Sequence, residues 1–171
     1  MRRLILAGLT SLAMVAFAAA PAGASSTAMR THHYPVTQPP FTEPAGVVCP
    51  FALRLTFPFQ KLYETDYYDS SGTLVRSVFT GPLIVKFTNL ATGDSAVRNA
   101  SGLGVFIFHP DGSQTIVSTG HIGLDFHVGD SPSGEYLITS GRTVVTISPT
   151  GIKTLNELDG TAEDMCQTLA G

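Results

Sequence analysis

Phe51-Ala-Leu-Arg-Leu-Thr-Phe-Pro-Phe59 alternates large apolar side chains with smaller or polar ones: Phe51, Leu53, Leu55, Phe57 and Phe59 against Ala52, Arg54, Thr56 and Pro58. A period of two gives an extended strand one strongly apolar face, because successive Cβ atoms leave opposite sides of the pleat. The same period continues downstream. Lys61 to Asp69 is polar and Tyr-bearing and turns at Ser70-Ser71-Gly72, and Thr73 to Thr80 is broken by Gly81-Pro82. Leu83, Val85 and Phe87 alternate with Ile84, Lys86 and Thr88 up to the turn Ala91-Thr92-Gly93-Asp94. Ser95 to Ala100 is short. Leu103 to Phe108 is apolar on both faces, as a strand at the centre of a sheet should be. After the hairpin signal Pro110-Asp111-Gly112 come Ser113 to Thr119, Ile122 to Val128, Glu135 to Ser140 and Thr143 to Ser148, with turns at Pro132-Ser133-Gly134 and Pro149-Thr150-Gly151.

Connections this short join antiparallel neighbours. The expected fold is all-β, an antiparallel meander of about 8–10 short strands. A sheet that long must protect its edges, so closure into a β-barrel is expected, with a β-sandwich of two sheets as the alternative. One short C-terminal helix is expected within Thr161-Ala-Glu-Asp-Met-Cys-Gln-Thr-Leu169, where Thr161 and Asp164 have capping spacing.

Residues 1–24 read as a signal peptide. Met1-Arg2-Arg3 is positive, Leu4 to Ala20 is apolar or small, and Ala22-Gly23-Ala24 is a small-x-small cleavage signal. Residues 25–46 carry four prolines and no apolar period, and read as a flexible segment. Residues 47–171 then form a single β domain with its terminal helix. No cysteine lies near the cleavage signal to take a lipid, and no second apolar span follows. The chain is expected to be secreted, with no membrane association after cleavage.

The chain has two cysteines, Cys49 and Cys166. In an exported protein they most simply pair with each other. Closing a loop of about 100 residues stabilises a fold by roughly 4–5 kcal/mol in the chain-entropy view.

Charge excludes one class of function. The chain carries 10 Lys+Arg against 13 Asp+Glu, and the leader removes Arg2 and Arg3 from the basic side. No basic cluster appears, so nucleic acid has no electrostatic footprint.

The strongest local candidate is Gly120-His-Ile-Gly-Leu-Asp-Phe-His-Val-Gly-Asp130. On a strand, Ile122, Leu124, Phe126 and Val128 face the core, and His121, Gly123, Asp125 and His127 share the other face. Asp125 and His127 are then neighbours on one face, within reach of a shared proton, while His121 lies too far along to join them. No third ligand is nameable, so no metal and no cofactor is assigned. Tyr63 and Tyr67 share a face of the 61–69 strand and form the second candidate, a surface for a sugar or partner. Gly129-Asp130-Ser131 looks like the nucleophile motifs of trypsin-like proteases and of Gly-Asp-Ser lipases. Pro132 stands where the protease motif needs glycine, and no histidine follows His127. Ser131 is read as part of a turn.

Arg76-Ser-Val-Phe-Thr-Gly-Pro82, Phe87-Thr-Asn-Leu-Ala-Thr-Gly93, His109-Pro-Asp-Gly112 and Gly129-Asp-Ser-Pro132 resemble segments of small secreted actinobacterial β-proteins to which no function is assigned. The resemblance spans about Cys49 to Leu169 and implies export and one β domain. Two readings of function follow. The first is a non-catalytic domain that binds a small molecule, a cell-surface glycan or a surface partner. The alternative is an exported enzyme using His121, Asp125 and His127, with or without a metal.

Overall fold

The computed structural model describes residues 30–171. The signal peptide expected at 1–24 lies outside the described residues. Alternating patterns become strands almost throughout: β1 (Arg30–Val36), β2 (Phe41–Glu43), β3 (Leu53–Gln60), β4 (Leu62–Tyr68), β5 (Leu74–Thr80), β6 (Leu83–Asn89), β7 (Ser95–Asn99), β8 (Gly102–Phe108), β9 (Gln114–Gly120), β10 (Ile122–Phe126), β11 (Glu135–Ile147) and β12 (Lys153–Asp164), followed by the single turn α1 (Met165–Thr168).

These strands form two antiparallel sheets. The first runs β1-β4-β5-β8-β9-β11, with β10 and β12 also paired to β11; the second runs β2-β3-β6-β7. The two orders are the same four chain segments read twice. β1 continues into β2, β3 into β4, β5 into β6 and β7 into β8, so neighbours in one sheet are neighbours in the other. Four long strands bend along one line, and their sheet folds over on itself as it does where strands switch layers at a corner.

Backbone bonds mark the crease. Lys61 N donates to Pro82 O at 2.9 Å, and Ala100 N donates to Leu83 O at 2.8 Å. Gln60 holds the 37–40 crossover by both ends of its amide, accepting from Gln38 N at 2.7 Å and donating to Gln38 O at 3.0 Å. At Gly81, φ is +118°, and a Cβ would overlap the Lys61 carbonyl oxygen. Only glycine permits that approach.

β9 and β10 are likewise two halves of one strand. β9 pairs with Arg142–Ile147 and β10 with Glu135–Thr139, the break falling at Gly120-His121. The two strands expected over 135–148 are the single β11, which passes Gly141 at φ +94°.

The closed barrel expected first does not form. Among the described residues β7 pairs only with β6, and β1 and β12 remain edges. Strands that change layer carry their hydrogen bonds with them, so the edges meet without a backbone ladder. A side-chain bridge stands there instead: Arg98 of β7 donates Nε and a terminal nitrogen to Glu163 of β12, both at 2.6 Å.

The flexible segment expected over 25–46 is ordered from Arg30 onward, as β1 and β2. Pro35 is tolerated because β1 is an edge strand. Tyr34 then supplies a half-buried anchor that local periodicity does not show. Its hydroxyl donates to Asp66 at 3.0 Å, Tyr68 donates at 3.2 Å, and Ser77 donates as well. Burial raises the Asp66 carboxyl, but the bonds from Ser77, Tyr34 and Tyr68 outweigh it and hold it below the usual range.

Residues 161–164, expected in the terminal helix, end β12 by pairing with Leu137–Ser140 of β11. Only Met165–Thr168 is helical, and Asp164 caps it by accepting from Cys166 N at 2.9 Å. Cys166 is bonded to Cys49, with 5.2 Å between the Cα atoms. Around this bridge, Val48, Leu53, Leu55, Phe87 and Met165 form the principal core with Tyr136 and Ile138 of β11. The alternate face of β11 presents Leu137 and Val145 to Ile116, Leu124 and Phe126.

Three outcomes are expected. Cys49→Ser/Cys166→Ser should lose up to about 4–5 kcal/mol in equilibrium denaturation; an unchanged midpoint would contradict the staple. Gly81→Ala should cost at least about 3 kcal/mol. Asp66, held below its unfolded value of about 3.9, contributes stability above that pH and loses it as the pH falls through and below it. Asp66→Asn should therefore cost about 2–3 kcal/mol at neutral pH and flatten the acid limb of the stability curve.

Candidate functional site

The crease holds a half-open cavity of about 330 Å³. Phe41 and Phe57 reach it from the second sheet and Phe79 and Phe106 from the first, while Ala100, Gly104 and Gly123 leave its wall thin. Space there is a property of the sequence. A Cβ on Gly104 would meet Ile122 Cδ1 at 3.5 Å and Phe106 Cε2 at 3.6 Å, ordinary contacts, so larger side chains are accommodated only at the cavity's expense.

Tyr136 lies opposite Asp125 in the β10–β11 register. Its ring packs edge-on against Phe87 at 5.0 Å, and the residue is 8% exposed. The hydroxyl sits over Gly123, 2.9 Å from where a Cβ would be. No protein group hydrogen-bonds to it among the described residues. Burial, then the charges of Asp125 and Glu43, push this phenol well above its usual range and keep it protonated.

Asp125, which also lines the cavity, begins a charged rim. His127 Nε2 lies 3.1 Å from Asp125 Oδ2, and Lys153 Nζ lies 2.6 Å from the same oxygen. Lys153 Nζ also donates to the Asp125 carbonyl at 2.8 Å. Glu43 approaches His127 Nε2 at 4.0 Å. Asp130 aligns the parts: one carboxylate oxygen accepts from His127 N at 2.6 Å and the other from Lys153 N at 2.8 Å.

The sequence places Asp125 and His127 together, and the structure brings them into contact. His121 is elsewhere, in a separate hollow beside Arg98 and Thr161, because the chain breaks between β9 and β10. Val128, expected in the core, is 70% exposed because β10 ends at Phe126. Glu43 was hidden in a stretch that reads as flexible, and Lys153 arrives on a distant strand; neither carries a local signal.

Glu43, Asp125 and His127 offer ligand atoms within 4.8 Å of one another. Asp125 Oδ2, however, already meets an ammonium and an imidazole nitrogen, so a metal ion would have to displace Lys153. The arrangement fits an ion-pair network better than a metal centre.

Tyr63 and Tyr67 do share a face, but neither ring is bare. His33 stacks on Tyr63 at 5.1 Å, and the Arg76 guanidinium lies 3.9 Å from the Tyr67 ring centre. Ser131 is held by its backbone, donating to Lys153 O and accepting from Leu155 N. A larger hollow of about 580 Å³ beside Ser131, Leu158 and Gln167 is open and holds none of the candidate residues.

A double-mutant cycle on Asp125→Asn and Lys153→Met should yield a coupling of about 0.5–1 kcal/mol, as for a partly exposed pair. A coupling near zero would remove Lys153 from the rim. No protein-family model matches the chain, and neither the curated proteins nor the solved structures provide a match.

Proposed function

We propose that the chain is a secreted, disulfide-stapled binding domain that takes a small, mainly apolar molecule into the crease cavity. The observation that carries this reading is the Tyr136 hydroxyl, which no protein group hydrogen-bonds among the described residues and which opens onto a largely apolar cavity of about 330 Å³. Apolar walls with a few convergent polar groups are the usual make-up of a small-molecule site. The Cys49–Cys166 bond and the leader pattern support export.

Less supports the enzymatic alternative. Asp125 and His127 form a dyad, but no serine, threonine or cysteine side chain bonds to His127 among the described residues, and Lys153 holds the carboxylate. A glycan on Tyr63 and Tyr67 finds each ring with one face taken.

Indole and p-xylene titrated into the full oxidised chain should shift amide resonances around Phe41, Phe57, Phe106 and Tyr136. Gly104→Val should abolish those shifts. Shifts centred elsewhere, or indifferent to Gly104→Val, would overturn the proposal.

A further inference from the structure

Resting on the cavity reading above, we infer that the ligand is a hydrophobic amine whose ammonium group is held by Glu43 at the rim. Glu43 is the unbalanced charge of the site. Its side chain is 17% exposed, and its nearest cationic candidate, His127 Nε2, lies 4.0 Å away, beyond hydrogen-bond distance. No hydrogen bond reaches its carboxylate among the described residues. Asp125, in the same cluster, has its ammonium in Lys153 at 2.6 Å. Two carboxylates therefore face one fixed cation, and the one without a partner is the more buried of the two, at 17% against 39% side-chain exposure. A carboxylate taken out of water without a partner is costly, so a donor supplied by the ligand would recover what the free protein lacks.

Position connects that charge to the cavity. Phe41 and Glu43 are two apart on β2 and so share a face, and Phe41 lines the cavity. Glu43 and Asp125 present oxygens within 4.8 Å of one another, and Asp125 is itself part of the lining. The Tyr136 hydroxyl gives a second point of attachment, since its lone pairs accept an N–H. The phenylalanine side chains Phe41, Phe57, Phe79 and Phe106 that line the cavity suit a ligand with an apolar body. An anionic ligand would meet Glu43 and Asp125 as like charges. A neutral alcohol would leave Glu43 uncompensated.

The test is calorimetric titration of the full oxidised chain at neutral pH with three probes of matched shape: 2-phenylethylamine, 2-phenylethanol and 3-phenylpropionate. The amine should bind at least about tenfold more tightly than the alcohol, and the carboxylate should show no binding. Glu43→Gln should reduce the amine to the affinity of the alcohol while leaving the alcohol unchanged. Gly104→Val should abolish both, and Gly104→Ala, which adds one methyl in ordinary contact, should weaken both if the larger variant does not fold. Equal affinity for amine and alcohol, with both sensitive to Gly104, would overturn the amine inference and leave the cavity reading standing. An amine preference that survives Glu43→Gln would overturn it as well. Binding of no probe at a site sensitive to Gly104 would overturn both.

Discussion

At Gly81 the backbone of one strand approaches the Lys61 carbonyl so closely that no side chain fits between them. The rest of the molecule depends on that approach. It lets β5 turn into β6 beside the point where β3 turns into β4, with Lys61 N bonded to Pro82 O across the corner. Two flanking crossovers, at 37–40 and at Ala100-Ser101, continue the line, and a four-stranded sheet becomes two layers. A corner cannot be packed as tightly as a flat sandwich with glycine and alanine at its inner wall. The cavity is the consequence of the bend and of the small residues Ala100, Gly104 and Gly123 that border it.

A folded sheet leaves edges, and this chain secures them with side chains and one covalent bond. Arg98 and Glu163 bridge β7 to β12 where a barrel would have a backbone ladder. The Glu163 carboxyl is held below its usual range by the Arg98 bond, against the effect of burial. Asp66, bonded by Tyr34, Tyr68 and Ser77, fixes β1 at the opposite edge. The disulfide joins the entry to β3 to the turn that follows β12, so the start of one layer is tied to the end of the other. These ties leave the mouth of the cavity under a short crossover and the three-residue β2, the least supported part of the second sheet.

Much of this was legible in the residues. A period of two located most strands, Gly- and Pro-containing turns separated them, and the cysteine pair in an exported-looking chain indicated the staple. Asp125 and His127 could be paired because two positions on one strand share a face. The crease could not be read, since only Gly81-Pro82 among its crossovers carries a strong turn signal and a bend looks like any other interruption. Proline content made 30–43 look unstructured, although an edge strand has no ladder bond to lose at Pro35. Glu43, Lys153 and Tyr136 reach the site through tertiary register alone. His121 read as too far along the strand to join Asp125 and His127, and the break at Gly120-His121 sends it to another surface.

Crystals pressurised with xenon offer the most direct measurement of whether the crease holds an apolar space, because apolar cavities take up the gas. The expected result is a xenon site among Phe41, Phe57, Phe79 and Phe106, absent in Gly104→Val. Collapse of those four rings onto one another with no xenon between them would contradict the claim that the folded sheet is built around a binding cavity.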